Sequence, residues 1–461
     1  MKILRDENGQ VLVMTVLCMA CLLGFVAFST DVGLLIAHKR LLQSAADAAA
    51  VAGSDELTYA GTDGVTVKQA ATNAAAQNGV TVQTGTTVTV NNGPLNGPYK
   101  GNASYVEVII QQSEPTIFMS LFHMKSVPVT ARAVAGQTTN SGCIWTLDGS
   151  GSDISNTGSG SLSIPGCDIY DDSADASDAL TNTGSGSITA KAIGIVGGDT
   201  NTGSGSISPS PVTGMTTVGD PLSFLQPPTI PTSTGTGCIS QPAGSTIGPG
   251  CYSGISNTGS GTLTLSPGNY VINGDISNTG SGTLILGAGN YIINGNLKST
   301  GSATLTLGNG SYTISGNFTD TGSGALTLGS GLYIVGGNLG LTGSGAMSGS
   351  SVSFYTEGQT SVTGSGTVNL SAPTSGPDNG ILFFQSRTDT QAMTITGSSN
   401  LTLQGIIYAP AAVLSFTGSG SGNTYADIVV SQLKLTGSTT FQNYSVLNNA
   451  SPLAGRNSLV E

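Results

Sequence analysis

The chain has 461 residues, of which 68 are glycine and only 8% are charged, and its formal net charge is −12. An acidic chain this poor in lysine and arginine has no electrostatic footprint for DNA or RNA, which excludes a nucleic-acid-binding function. A glycine share of this size would suit a flexible linker, but the 38% apolar fraction is too rich in burying residues for a chain that stays unfolded.

The charge is unevenly placed. Residues 1–136 carry 8 Lys/Arg against 9 Asp/Glu, net −1, and residues 137–461 carry 5 against 16, net −11. Val11–Thr30 (VLVMTVLCMACLLGFVAFST) is uncharged. About 20 apolar residues span a bilayer core as a helix. The run is too long for the apolar part of a signal peptide, and no A-x-A cleavage site follows it cleanly. Asp31 closes the run; a carboxylate there is either at headgroup level, the preferred reading, or paired with another group. His38–Ser54 is alanine-rich and continues the helix into water. Lys2 and Arg5 precede the span while Lys39 and Arg40 follow it, so the positive-inside rule is silent.

Cys18 and Cys21 lie inside the apolar run; the other four cysteines are Cys143, Cys167, Cys238 and Cys251. Their even number suggests disulfides. Sequence order favours Cys143–Cys167 and Cys238–Cys251, although four cysteines allow three pairings. The spacings are too wide for a zinc site and no histidine is near. A large disulfide-bearing part belongs outside the cytoplasm, which orients the span.

From Arg5 to Ser54 the sequence follows the pattern R-D-x-x-G-Q, an apolar span, D-V-G, a short gap and L-Q-x-A-A-D-A-A-A-x-A-G. The matching positions include Arg5, Asp6, Gly9, Gln10, Asp31, Gly33, Gln43, Ala46, Asp47 and Gly53. This segment resembles the TadE/TadG-like proteins of Flp (tight-adherence) pilus assembly, and the resemblance continues more weakly through Ser113–Gly136. It implies a bacterial protein that crosses the cell membrane once, with a cytoplasmic amino terminus and a periplasmic or extracellular bulk. The partners implied are the inner membrane and Flp/Tad pilus assembly components. A prepilin-type site, glycine followed five residues later by glutamate and an aromatic, does not occur; the fifth residue after Gly9 is Met14.

Residues 55–136 read as a small α/β module. Val67–Gly79 is helical and ends on glycine. Val80–Val90 and Ser104–Gln111 alternate as strands, as does the stretch beginning at Val127. Pro115 opens a predicted helix over PTIFMSLFHM. His38 and His123, the only histidines, have no metal-like partners nearby and are expected at a surface or interface.

The remainder is a repeat. A Thr-Gly-Ser phrase begins at Thr157, Thr183, Thr202, Thr258, Thr279, Thr300, Thr321, Thr342, Thr363, Thr396, Thr417 and Thr436, and from Thr258 to Thr363 each step is 21 residues. A fixed period of this size marks a solenoid. Stacking copies at that period gives an aromatic column, Tyr270, Tyr291, Tyr312, Tyr333 and Phe354, with Ile272, Ile293, Ile314 and Val335 two residues on. Apolar positions two apart are strand spacing. Short strands with glycine corners at this period predict a coil with three faces, each pairing in parallel with the next coil. Right-handedness is expected from the crossover rule.

The expected fold is therefore mainly β. A transmembrane helix (1–54) and an α/β module (55–136) precede a parallel β-helix over 140–447, with an excursion at 208–252 and a tail at 448–461. Twelve coils would make a rod roughly 60 Å long. Asn296, Asn317 and Asn338, with Asp275 in the same column, are expected to hydrogen-bond along the axis. The step from Thr363 to Thr396 is 33 residues, with an insert at APTSGPDNG; register then returns, which puts Tyr408 in the aromatic column.

Chemistry has little to work with in residues 137–461, which contain no histidine. That removes histidine bases, Ser-His triads and histidine metal sites. Asp275, Asp320 and Glu357 stand in different columns, which is unlike the paired carboxylates of a glycosidase. Arg387 and Asp389 are expected as a surface ion pair. Asp168, Asp171, Asp172, Asp175 and Asp178 could offer oxygen ligands to calcium, though they fit no calcium-loop pattern and read as a solvated acidic loop. No cofactor is expected. Threonines two apart at Thr262/Thr264 and Thr304/Thr306 raise ice binding as an alternative, and polysaccharide cleavage is the enzymatic alternative. The reading adopted is a non-catalytic, pilus-associated surface protein whose hydroxyl- and amide-rich rod serves adhesion to carbohydrate or other surfaces, or assembly.

Overall fold

The computed structural model describes residues 7–60, 64–139, 142–231, 235–397, 401–419, 424–448, 451–453 and 455–460. Arg5 and Asp6 of the family pattern lie outside them. The chain forms two compact units, one of Met1–Thr139 with Gly455–Glu461 and one of Asn140–Ala454.

The first unit is organised by one long helix, α1 (Glu7–Ala60). Among the described residues the apolar first half is not covered, and the side chains from Leu12 to Phe28 are exposed apart from the half-buried Ala27. Its second half buries Leu42, Ala45, Ala46, Ala49 and Ala50 completely, a stripe at helical spacing. The small side chains let the helix lie close on an antiparallel sheet of β1 (Thr86–Asn92), β2 (Tyr105–Pro115) and β3 (Ser126–Thr139). At Gly53 an added Cβ would lie 3.1 Å from Val106 Cγ1 and 3.3 Å from the Ala71 Cβ, so glycine sets the approach of α1 to both β2 and α2 (Gly64–Gln77).

Two expectations fail in this unit. PTIFMSLFHM forms no full helix; only a single 3₁₀ turn, Met119–Phe122, appears, closed by His123 at φ 66°. Residues 448–461 are not a plain tail, because Gly455–Leu459 pairs antiparallel with β3 as the fourth strand of the sheet.

The second unit is a parallel β-solenoid with three strands per coil. The first face is the strand that precedes the Thr-Gly-Ser phrase, as in Ile255–Asn257 and Ile276–Asn278. The second follows the phrase, as in Thr262–Leu265, and the third carries the aromatic column, as in Tyr270–Ile272. Copies pair in parallel at the 21-residue step: Ile255 with Ile276, Leu263 with Leu284, Tyr270 with Tyr291. Alternate residues point inward, so Leu263, Leu265, Tyr270, Ile272 and their equivalents form one continuous core. At the corners the backbones nearly touch; a Cβ on Gly186 would lie 1.6 Å from the carbonyl oxygen of Gly160.

Coil order along the axis differs from sequence order. The coils from Thr246 to Gln442 stack in succession, and then Ile428, Leu433 and Thr439 pair with Ile144, Ile154 and Leu162. The coil path thus continues from Thr440 into Gly142, a splice between the last and first coils of the sequence. From there the stack runs through Leu180 and Asp199 to Ile207.

The segment expected as an excursion is the return path. It lies along the solenoid as a strap: Asp172 accepts from Val218 and Gly219 N–H, Asp220 from Tyr408 Oη, Gly235 O from Asn273 Nδ2, and Gln241 bonds the backbone of Ser256. The strap crosses the third face, whose outward column Val271, Ile292, Thr313, Ile334, Tyr355 and Phe384 is largely apolar. Val218, Leu225 and Ile230 pack against the core from outside.

Candidate functional site

Three places carry organised polar chemistry: the end of the apolar run on α1, the interior ladders of the solenoid, and the acidic corner beside the splice.

Asp31, the residue that ends the apolar run, is 2% exposed and is paired. Its carboxylate accepts the backbone N–H groups of Ile117 (3.0 Å), Phe118 (2.9 Å) and Met119 (2.6 Å). Three unpaired amides at the start of a tight turn need an acceptor, and an anion supplies it best. These partners are more than 80 residues away in sequence, so no local pattern names them. Gln43 donates to Asp47 (2.8 Å) and to the carbonyl of Arg132 (2.9 Å), tying α1 to β3. Ala46 and Gly53 serve packing, and Gly33 faces open space. Gly9 and Gln10 lie in the first turn of α1. Sequence reading missed Glu107, fully buried in β2, which accepts from Arg132 Nε at 2.6 Å and from Asn91. Burial opposes its charge, but the bonds from Arg132, Asn91 and Leu95 outweigh burial and hold the carboxyl below its ordinary value.

In the solenoid Tyr270, Tyr291, Tyr312 and Tyr333 stack with ring centroids 4.8–4.9 Å apart and planes within 3°. Each hydroxyl donates to a carbonyl four residues back, Ser266, Gly287, Gly308 and Gly329 in turn. Burial raises the phenols, Tyr270 to about 12. The column passes through Phe354 to Phe383. It does not reach Tyr408, because a register shift between Ile381 and Phe383 puts Ile407 beside Phe383 and Tyr408 beside Phe384 on the outer side. Arg387 and Asp389 form no ion pair. Arg387 bonds Tyr408 Oη (2.7 Å) and the Leu222 carbonyl of the strap (2.9 Å), and lies over the Phe384 and Tyr408 rings; Asp389 accepts from Gln385 and Gln391.

The ladder at Asp275, Asn296, Asn317 and Asn338 forms, with each side-chain oxygen accepting the backbone N–H one coil on at 2.8–2.9 Å. A second ladder went unread. The asparagine of the repeated Ile-Ser-Asn points inward: Asn156 donates to Asn182 and Asn182 to Asn201 (both 2.8 Å), and Asn257 to Asn278 (3.0 Å). The same column continues as Ser299 and Asp320, whose carboxyl burial raises.

The acidic stretch is not one solvated loop, because Asp168, Asp171 and Asp172 are buried and its carboxylates are divided between strand, turn and strap. Asp171 accepts from Ser173, Asp172 holds the strap, Asp175 accepts from Ser177 and Asp178, and Asp168 lies in the strand Leu162–Asp171 in register with Gly142. Among the described residues no three His, Cys, Asp or Glu side chains are grouped to hold a metal ion. The structure adds Asp153, which is fully buried. The Asp148 N–H facing it is bonded to Ser431 O, and neither carboxyl oxygen of Asp153 has a hydrogen bond of ordinary geometry. Burial, with the negative charges of Asp171, Asp148 and Asp172, pushes Asp153 up to about 9, and burial pushes Asp171 up to about 7.

Both disulfides are present. Cys143–Cys167 joins adjacent third-face strands at the splice, and Cys238–Cys251 joins the far end of the strap to the terminal coil.

The architecture defines a β-solenoid protein carrying an apolar amino-terminal helix. Residues 9–77 match the family described as Putative Flp pilus-assembly TadE/G-like, in agreement with the resemblance carried by Gly9 to Gly53. Residues 249–450 match a domain of unknown function (DUF7305). That second match covers the coils on one side of the splice and leaves out the coils formed by 142–212. No curated protein and no solved structure matches the chain.

Proposed function

We propose that this is a single-pass membrane protein of the Flp pilus system whose solenoid is a non-catalytic rod for adhesion or assembly. The observation that carries the reading is the TadE/G-like match over 9–77, which covers a helix whose apolar half is exposed among the described residues. Such a helix is stable in a bilayer and costly in water. With a cytoplasmic amino terminus, the solenoid and its disulfides lie in the periplasm or outside the cell, where disulfides persist.

Several features favour a rod over an enzyme. The polar ladders are spent on holding coils together, and the interior carboxyls lie in packed core. On the first and second faces small hydroxylic residues line up outward, with Ser256 beside Ser277 and Thr262, Thr283 and Thr304 in line. Such a surface suits carbohydrate or self-association. The threonine plane that ice binding needs is broken, since Ile285 stands between Thr264 and Thr306.

The test is a tag near the carboxyl terminus followed by shearing of intact cells. Release with filaments makes the rod a pilus component, and retention with the tag open to protease makes it an anchored surface protein. A tag shielded until the outer envelope is opened places it in periplasmic assembly. Shielding even then reverses the topology, and polysaccharide cleavage by the purified protein would overturn the non-catalytic reading.

A further inference from the structure

The turn tethered by Asp31 has a composition that water does not explain. Ile117, Phe118, Leu121, Phe122 and Met124 are all exposed, Leu121 at 76% and Phe122 at 77%. Solvated loops rarely present five large apolar side chains in eight residues. Most of the backbone N–H groups beneath them are bonded within the protein. Thr116 N–H bonds Lys125 O, those of Ile117, Phe118 and Met119 bond Asp31, and those of Leu121, His123 and Met124 bond within the turn. The Thr116 hydroxyl is bonded to Met124 O and that of Ser120 to Ile117 O. Internal satisfaction of polar groups with apolar side chains outward is what hydrocarbon demands of a polypeptide.

Its place on the chain agrees. Asp31 is the residue after the uncharged run Val11–Thr30, so the tether holds the turn level with the end of the span. An apolar groove lined by Val32, Leu35, Ile36, Val127, Pro128 and Val129 follows on the same side of α1. Lys39 also lines that groove, Arg40 follows it on α1 and Lys125 closes the base of the turn; all three are exposed, as cations that meet phosphate headgroups would be.

We propose that residues 117–124 are seated in the headgroup–acyl boundary of the bilayer that α1 crosses, with Leu121 and Phe122 inserted among the acyl chains. This rests on the reading of Val11–Thr30 as a membrane span. The turn is a second membrane contact, and it shields the Asp31 carboxylate from lipid by supplying three donors. With two contacts the sheet is held at a fixed height and rotation on the membrane, where a single helix would let it swivel.

The test uses the full chain with Cys18→Ser and Cys21→Ser, reconstituted in vesicles of phosphatidylcholine and phosphatidylglycerol. An environment-sensitive fluorophore is placed on Leu121→Cys, Phe122→Cys, Phe25→Cys or Asn102→Cys. Asn102 sits beyond the other end of β2, roughly 30 Å away at strand rise. Nitroxide lipids labelled near the headgroup or deep in the chain serve as quenchers. The proposal expects blue-shifted emission at 121 and 122, quenched several-fold more by the shallow label than the deep one, with no quenching at 102. Asp31→Asn, which weakens the tether, is expected to lower quenching at 121 while leaving that at 25 intact. Quenching at 25 with water-like emission at 121 and 122 overturns the seated turn and leaves the anchor standing. Water-like emission at 25 as well overturns the anchor with it. Blue-shifted emission at 121 that no lipid label quenches means a protein partner covers the turn, and overturns the lipid assignment.

Discussion

Ile154, in the first complete coil that the sequence makes, lies in parallel register with Leu433, in the last. The Thr157 hydroxyl reaches the Leu435 carbonyl across the same seam at 3.4 Å. The solenoid is thus built from two runs of coils that meet where the chain begins and ends it.

The Cys143–Cys167 bridge stands at that seam and closes a loop of 24 residues. Replacing both cysteines by serine is expected to cost about 3 kcal/mol on loop entropy. Denaturant unfolding of the full protein in detergent, with and without reductant, measures this, and the reductant should lose most of its effect in the variant.

Tyr312 lies mid-column with its ring fully buried. Tyr312→Phe leaves only the Gly308 carbonyl without its donor and is expected to cost about 1 kcal/mol. Tyr312→Ala opens a cavity between Tyr291 and Tyr333 and is expected to cost about 4 kcal/mol. Thermal unfolding of the pair separates stacking from the hydroxyl bond; equal losses would count against the ladder.

Much of the solenoid was legible in sequence and its order was not. The columns Tyr270 to Phe354 and Leu263 to Met347 state directly that coils stack in register. They cannot say which coil stacks on which. Thr157-Gly158 and Thr436-Gly437 present the same phrase to a neighbour, so the seam looks like any other step. The covering strap left a signal that went unread: a column that faces outward yet reads Val271, Ile292, Ile334 and Phe384 needs something on top of it. The bulge at Ile381 that moves Tyr408 outward is a backbone event with no mark in residue type. In the first unit, Asp31 and its amide partners are joined only by the fold.

The strap depends on Arg387, which bonds the Leu222 carbonyl and Tyr408 while covering the Phe384 ring. Arg387→Ala is expected to destabilise by about 2 kcal/mol, since charge-assisted bonds and ring contacts are lost together. It should also speed limited proteolysis between 209 and 231. Cleavage at an unchanged rate would mean the strap is held elsewhere.

Carboxyls raised by burial make the solenoid prefer acid. Asp153, at about 9, and Asp171 and Asp427, both at about 7, bind protons in the folded state that an unfolded carboxylate near 3.8 has released. Between those limits the folded state holds more protons, so stability falls as pH rises from about 4 to about 9, and the raised phenols extend the fall above about 10. Asp153→Asn, neutral throughout, is expected to flatten the upper part of that decline. Melting temperatures across the range read it, and a wild-type profile that rises toward pH 9 would contradict the assignment.

Two glycines of the repeated phrase separate crowding from flexibility. A Cβ at Gly186 would strike Gly160 O, whereas one at Gly261 meets nothing within 4 Å. Gly186→Ala is expected to cost about 3 kcal/mol and Gly261→Ala well under 1 kcal/mol, as chemical denaturation would register.

The order of the coils also decides where the molecule can come apart. A repeat array whose tips are chain termini frays from either tip, one unit at a time. Here neither tip is a terminus. One, near Ile207, runs straight into the strap, and the other, near Thr246, receives the strap and is clasped by Cys238–Cys251. The chain enters the solenoid at Gly142, next to the other disulfide, and leaves it at Gln442, both inside the stack. Tension delivered through those two points loads a single seam in shear, spread over every backbone bond along it, and leaves both tips slack.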